Sequence, residues 1–290
     1  MRCDCCGSER WNALFSENGV HLGQCPECDL LYIQEMPAAE DRMTEIEEGH
    51  YAGAQEMLSA ARQLESERIL EARFQSFVDL AVEFAPRGRW LDIGCGAGLL
   101  LQLARQAGYE PEGLELNADR RATAERVGGF TVHGVPVEDA GIPDDSFDVV
   151  SMINVFSHLT SPTETFRELR RILRPGGVLV LATGEMAAGV QKSHMLTWNL
   201  GDHLYFLGDR TMDQYAERLG FEVVHHSRRW LPDEMFTREW LRSHGRSRRK
   251  NAIKTVIDKT PGGLRLLRAV MFRRQAGSAA HAGVFVLRFG

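Results

Sequence analysis

An apolar strand that runs into three alternating glycines and then into a helix leaves a chain few choices of fold. Here it reads Arg89-Trp90-Leu91-Asp92-Ile93-Gly94-Cys95-Gly96-Ala97-Gly98, then Leu99-Leu100-Leu101-Gln102-Leu103-Ala104. Gly94, Gly96 and Gly98 allow a tight turn and a close approach of backbone to ligand. Tyr109 to Leu116 reads as a second strand, closing in Glu115, which lies 17 residues beyond Gly98. An acid there is placed to accept hydrogen bonds from both hydroxyls of a ribose. A nicotinamide dinucleotide would fit the same logic, but its fingerprint is G-x-G-x-x-G, whereas these glycines strictly alternate behind Asp92. A carboxylate at that point repels a pyrophosphate and attracts an ammonium. The expected ligand is a nucleoside that carries an amino acid.

The motifs that follow sharpen this. Val137-Glu138-Asp139 precedes Ile142-Pro143-Asp144-Asp145-Ser146-Phe147-Asp148-Val149-Val150. Asn154 to Leu159 follows, and then Leu169-Arg170-Arg171-Ile172-Leu173-Arg174-Pro175-Gly176-Gly177. From residue 89 to 183 the chain resembles the class I S-adenosylmethionine (SAM)-dependent methyltransferases, motif after motif. The resemblance implies a Rossmann-like seven-stranded α/β sheet with helices on both faces and a last strand that runs antiparallel. It implies cofactor contacts from Asp92, Gly94, Cys95, Gly96, Gly98, Glu115, Leu116, Val137, Glu138 and Asn154. Many relatives carry Asp where this chain has Pro136, so Glu138 or Asp139 is expected to meet the adenine amino group instead.

Five of the six cysteines precede residue 29. Cys3 and Cys6 form one C-x2-C pair and Cys25 and Cys28 another, with 18 residues between them. Two such turns can direct four thiolates at a tetrahedron, the arrangement zinc prefers, and four sulfurs leave no open position for water. A structural Zn2+ is therefore expected on Cys3, Cys6, Cys25 and Cys28, with Cys5 outside the paired spacing. The stretch between the pairs reads as a hairpin turning at Asn18-Gly19. So short a unit depends on its metal for folding energy.

Apolar residues recur at helical spacing from Ala54 to Glu83, just after His50-Tyr51, where Tyr51 is a candidate lid residue. Asp209 to Leu219 reads as a helix, Phe221 to His225 as the sixth strand and Gly283 to Phe289 as the last. The expected organisation is a zinc ribbon over 1–36, a helical lid or linker over 37–86, a SAM-binding core over 87–226 and 281–290, and a basic helical insertion over 227–280. Net charge is −6, yet residues 228–274 hold 14 Lys/Arg against 4 Asp/Glu, leaving −16 for the rest. Such a segment suits an anionic membrane surface, a phosphate group, or a solvated helical face. No apolar run approaches a membrane span and Met1 to Cys6 is unlike a signal peptide, so a cytoplasmic setting is expected.

Acceptors in open α/β sheets sit beyond the carboxyl ends of the strands. His158, after the fourth strand, and His203, in Trp198-Asn199-Leu200-Gly201-Asp202-His203-Leu204-Tyr205-Phe206, are the candidate catalytic bases, with His194 a third. A zinc ribbon before such a core is similar to methyltransferases of sugars, glycans and secondary metabolites. The expected function is methyl transfer from SAM to a small-molecule or glycan acceptor, a hydroxyl favoured. An RNA methyltransferase is disfavoured by the acidic balance and by Asn154-Val155-Phe156-Ser157 standing where base-amino methyltransferases carry an Asn/Asp-Pro-Pro-Tyr type sequence. A non-catalytic SAM-binding module is the third reading.

Overall fold

The computed structural model describes residues 2–48, 64–194, 198–229, 248–263, 266–267 and 280–290. The central strands are those the sequence marks: β4 (Arg89–Ile93), β5 (Glu110–Leu114), β6 (Val132–His133), β7 (Phe147–Ile153), β8 (Leu173–Met186), β10 (Phe221–Arg229) and β11 (Ala280–Phe289). They pair in the order β6-β5-β4-β7-β8-β11-β10, parallel except for β11, which lies antiparallel between β8 and β10. This is the expected class I methyltransferase sheet.

Helices cover both faces, as continuous apolar strands such as β7 and β8 require. On one face, Phe77, Val78 and Ala81 of α2 (Leu64–Phe84) and Leu100, Leu103 and Ala104 of α3 (Leu99–Gln106) pack on Trp90, Val149, Val178 and Val180. The other face receives α5 (Pro162–Ile172) and α6 (Thr211–Leu219) through Phe166, Leu169, Met212 and Tyr215. Between these come α1 (Ala39–Glu47) and α4 (Ala118–Gly128). Of the basic insertion, α7 (Arg248–Lys259) is described, with Ile253 and Val256 exposed.

The N-terminal segment is joined more tightly than an appendage. Strands β1 (Asn12–Glu17), β2 (Val20–Gln24) and β3 (Leu31–Ile33) form an antiparallel set, and β3 pairs with β9 (Tyr205–Gly208), a strand the sequence reading had not marked. In turn β9 pairs with Glu185 and Met186 at the tip of β8, so the eleven strands among the described residues form one sheet. β7 releases that edge of β8 at Ala182, and β9 takes it up three residues later. Cys3, Cys25, Leu22 and Leu31 accordingly share one hydrophobic cluster with Leu91, Phe156 and Leu181. Residues 2–36 and the core thus have no separate interiors. They meet at the carboxyl ends of the central strands, where ligands bind in such sheets.

Candidate functional site

The glycine loop is held before any ligand arrives. The Gly94 and Cys95 amides both donate to the Leu114 carbonyl, at 2.7 and 3.1 Å, folding the loop down onto β5. A Cβ at Gly113 would lie 2.6 Å from Cys95 Sγ, so β5 needs a glycine where the loop crosses it. Gly94, Gly96 and Gly98 all have positive φ, and a Cβ added at Gly96 would meet nothing within 4 Å, which leaves open space beside that backbone. Glu115 accepts from the Gly96 amide and the Asn117 amide, each at 2.9 Å, so both carboxylate oxygens are aimed while keeping lone pairs to accept more.

Asp92 is buried and accepts from the Ser151 hydroxyl at 2.5 Å, and that hydroxyl accepts from Trp90 Nε1 at 2.7 Å. Burial, with the Glu115 charge adding to it, raises the Asp92 carboxyl to about 7 against the opposing pull of Ser151. Among the described residues these two buried carboxyl groups have hydroxyl and amide partners and no cation, which the ammonium of a SAM molecule would supply. The fit to that cofactor rests on this charge and on the open Gly96. Of the other expected contacts, Asn154 stands exposed at the exit of β7 with φ 58° and Leu116 is half-buried. Val137 turns its side chain into the core, and Glu138 accepts from Thr165 Oγ1 at 2.5 Å.

The four paired cysteines converge. Their sulfurs lie within 4.8 Å of one another, with Cys3–Cys28 and Cys6–Cys25 each at 3.5 Å. Thiolates about 2.3 Å from a zinc ion form a tetrahedron with edges of about 3.8 Å, so the spacing suits a metal and not a disulfide. The two turns repeat one design. The Cys3 amide donates to Ser8 and the Gly7 amide to the Cys3 carbonyl, just as Cys25 donates to Leu30 and Asp29 to Cys25. Hydrogen bonding to Cys28 and then burial push the Cys3 thiol up, and burial lifts Cys6 to about 11. A divalent cation would reverse both tendencies. Tyr32 Oη is buried with no hydrogen-bond partner among the described residues, and its phenol is pushed up by burial and then by the cysteine charges around it. Cys5 is not one of the four; its thiol faces the Thr211 carbonyl and, against the lowering pull of Cys3, lies near enough to Cys28 to push that thiol up as well.

Both turns also grip the core. Asp4 Oδ1 accepts from the Thr163 amide at 2.9 Å, the Thr163 hydroxyl at 2.8 Å and Tyr215 Oη at 2.7 Å, while Oδ2 accepts from Ser161 Oγ at 3.1 Å. Ser161, the N-cap of α5, makes no capping bond itself. Asp4 therefore caps α5 from another part of the chain, satisfying an amide the helix start leaves open. On the second turn, Asp29 takes a two-pronged pair from Arg210, at 2.9 and 3.0 Å, and Thr211 Oγ1 donates to the Cys28 carbonyl at 2.9 Å. Asp29 packs so closely that a Cβ at Gly208 would fall 2.1 Å from its carbonyl oxygen.

The same ribbon shapes the loop after β8. Glu17, at the end of β1, accepts from the Trp198 and Leu200 amides, each at 3.1 Å. Trp198 sits between Phe15 and Phe206, with ring centroids 4.9 and 5.3 Å away. Beside this wall the His158 and His203 rings lie 4.9 Å apart. His158 Nδ1 is 2.7 Å from the Asp202 carbonyl and His203 Nδ1 is 3.0 Å from the Trp198 carbonyl. Desolvation, then His203 and Arg42, pull His158 down to about 3; desolvation lowers His203 as well. Both imidazoles are neutral at pH 7. The third candidate, the His194 side chain, and the proposed lid at His50-Tyr51 lie outside what is described.

Sequence reasoning brought Asp92, Gly94, Gly96 and Glu115 to one place and His158 and His203 to another. It missed Asp4, Glu17, Arg42 and Asn117. Arg42 is the least legible, since Glu40-Asp41-Arg42 reads as a solvated helical turn, yet its side chain is 2% exposed.

Comparison with known proteins agrees with this geometry. Residues 65–226 match the family described as "Methyltransferase domain". A ubiquinone/menaquinone biosynthesis C-methyltransferase of Geotalea daltonii is 25% identical over 148 residues, covering 48% of this chain and 60% of that protein. A ubiquinone biosynthesis O-methyltransferase of Methylococcus capsulatus is 30% identical over 99 residues, or 32% of this chain and 42% of that one. The match thus spans about half the length of these curated relatives. Among solved structures, a SAM-dependent methyltransferase from Archaeoglobus fulgidus superposes with TM-score 0.53 at 18% identity, over 76% of this chain and 93% of that one, a likeness of fold.

Proposed function

The chain belongs to the class I SAM-dependent methyltransferase family, and from that premise we propose that it transfers the methyl group of SAM to a small-molecule acceptor, with a hydroxyl as the favoured nucleophile. The observation that carries this reading is the pairing of two sites at one edge of the sheet. A glycine loop with the buried acids Asp92 and Glu115 lies on one side, and a neutral His158–His203 pair beside an aromatic wall lies on the other. SAM supplies an electrophilic methyl on a sulfonium. The chain's own work is to hold it, align the acceptor and exclude water. Asp92 would receive the ammonium and Glu115 the ribose hydroxyls, with Gly94, Gly96 and Gly98 giving close backbone approach. Cys95, Leu116, Val137, Glu138 and Asn154 would line the rest of the cofactor site.

A hydroxyl nucleophile must lose its proton. His203 is the proton acceptor in this reading, because His158, whose conjugate acid is pulled down to about 3 by burial, is too weak a base to take a proton readily near neutrality. His158 would instead accept a hydrogen bond and orient the acceptor. The four thiols would hold a structural zinc ion, which keeps the ribbon, and through Glu17 the acceptor loop, in place.

The relatives act in ubiquinone biosynthesis by their names, on carbon in one case and oxygen in the other, and phenolic acceptors are therefore the first class to try. The test is methyl-labelled SAM incubated with phenols, sugar hydroxyls and RNA. Label in a phenol or sugar, lost about 100-fold in His203→Asn as for a general base, supports the proposal. Label in RNA alone would sink the small-molecule reading, and SAM binding with no label in any acceptor would favour a non-catalytic module.

A further inference from the structure

The basic insertion is a motif that the methyl-transfer reading leaves unused. It leaves the sheet after Arg229, which lies opposite Ala282, and rejoins it at Ala280, which lies opposite Met186. Both roots therefore stand at the carboxyl tip of β8, where β9 is also paired. Seven large apolar side chains are exposed among the described residues, and three of them belong to this insertion. They are Ile253, Val256 and Leu266, at 54, 65 and 66% exposure, while the other four are scattered singly elsewhere. Single exposed apolar residues are ordinary; neighbouring ones mark a contact surface. Ile253 and Val256 are such neighbours, three residues apart on α7. Successive residues of a helix step by about 100° around its axis. Lys254, Ile257 and Asp258 are half-buried and share one side, which is turned to the protein. Ala252, Ile253, Val256 and Lys259 are exposed on the other. The one acid of α7, Asp258, thus lies on the inner side, and the outer side joins apolar residues to a lysine. A tight turn ends the helix: Thr260 Oγ1 donates to the Val256 carbonyl at 2.7 Å, and a Cβ at Gly263 would lie 2.2 Å from the Ile257 carbonyl oxygen.

We propose that this insertion docks on an anionic lipid bilayer, with α7 lying in the interface and Ile253 and Val256 entering the acyl boundary. Charge complementarity selects the partner. Residues 228–274 hold 14 Lys/Arg and 4 Asp/Glu, a balance of +10 within a chain of net −6. An anionic surface attracts this segment and repels the rest of the molecule, so the encounter is oriented. The α7 sequence holds five Lys/Arg against Asp258 alone. An RNA backbone would use those cations but has no place for exposed isoleucine and valine, whereas an interfacial helix uses both. At 12 residues α7 is too short to span a bilayer and has the composition of a helix that lies on one. The bilayer would then stand against the sheet edge from which the insertion rises, the edge that carries the acceptor loop. The proposal is independent of the SAM reading, because it uses no residue of the cofactor or acceptor site.

The experiment is sedimentation of the full metal-loaded chain with phosphatidylcholine vesicles, with and without phosphatidylglycerol, alongside RNA binding and light scattering without vesicles. The parent should bind the vesicles that contain phosphatidylglycerol at least about tenfold more tightly than the neutral ones, and salt should weaken that preference. Ile253→Gln combined with Val256→Gln keeps residues that favour a helix and should cost about 100-fold in vesicle affinity. Lys259→Glu should cost about tenfold on the anionic vesicles. These positions are exposed, so both variants should keep the parental melting temperature and S-adenosylhomocysteine affinity. Vesicle binding that persists at the parental level in both variants overturns the proposal, as does a parent that binds neither vesicle or both equally. RNA binding without vesicle binding would assign the cations to nucleic acid, and a dimer abolished by the double variant would assign the face to a second copy; either overturns it. Failure of the parent to bind S-adenosylhomocysteine would sink the cofactor reading and leave the vesicle comparison decisive.

Discussion

The cysteine ribbon and the glycine loop are both short turns built to receive a ligand, and they prepare for it in opposite ways. In the ribbon the four side chains point at one another, an arrangement that a cation would hold together once the thiols ionise. In the glycine loop Gly94, Gly96 and Gly98 carry no side chain, and backbone bonds to Leu114 and Glu115 fix the shape beforehand. On the zinc proposal the first site would fold with its ligand, whereas the second is shaped beforehand. Their consequences differ as well. The ribbon reaches α5 through Asp4, α6 through Asp29 and the acceptor loop through Glu17, so its loss should be felt on the acceptor side. The loop is bonded to β5, opens into α3 and has Gly94 close against Val155, so its loss should be felt first on the cofactor side.

Chelation of the metal breaks this contrast most severely. Structural zinc commonly contributes on the order of 10 kcal/mol to small cysteine-rich folds. Its removal should lower the melting temperature sharply and speed hydrogen exchange at residues 198–206, while S-adenosylhomocysteine affinity changes less than about tenfold. Equal loss on both sides would mean that the two sites are not separable. On the other side, Glu115→Ala should weaken SAM binding about 100-fold, from the loss of charge-assisted hydrogen bonds, with the ribbon and the melting temperature little changed.

Asp4→Ala comes next. It removes a helix cap and leaves the buried Tyr215 hydroxyl without its acceptor, a cost of about 2–4 kcal/mol. Chemical denaturation would measure it, and SAM affinity should stay at the parental value. The smallest effect concerns pH. Asp92, at about 7 in the free protein, must shed its proton to meet an ammonium. SAM affinity should therefore rise as pH increases from about 5.5 to 7, by at most tenfold per unit, and the rise should vanish in Asp92→Asn. A flat profile in the parent would show that Asp92 does not face the ammonium.

How legible these two regions were in the sequence follows from the same physics. The glycine loop, Glu115 and the paired cysteines could be read because each needs a particular residue type at a fixed local spacing. The strand order could be read because β4, β7 and β8 are continuous apolar runs in a motif sequence of known kind. Strand β9 was hidden because Tyr205-Phe206-Leu207 looks like any aromatic wall, and it is a strand only because β3 and the tip of β8 come to meet it. Asp4 and Arg42 were hidden for a related reason. A carboxylate capping a helix some 160 residues away, or a guanidinium buried against two imidazoles, leaves no periodic trace in its own segment.

The central claim is that the glycine loop with Asp92 and Glu115 is a working SAM site, and calorimetric titration of the metal-loaded protein with SAM and S-adenosylhomocysteine tests it most directly. The account predicts one site per chain for each ligand, with both affinities falling together in Glu115→Ala. No binding of either ligand at millimolar concentration would contradict it.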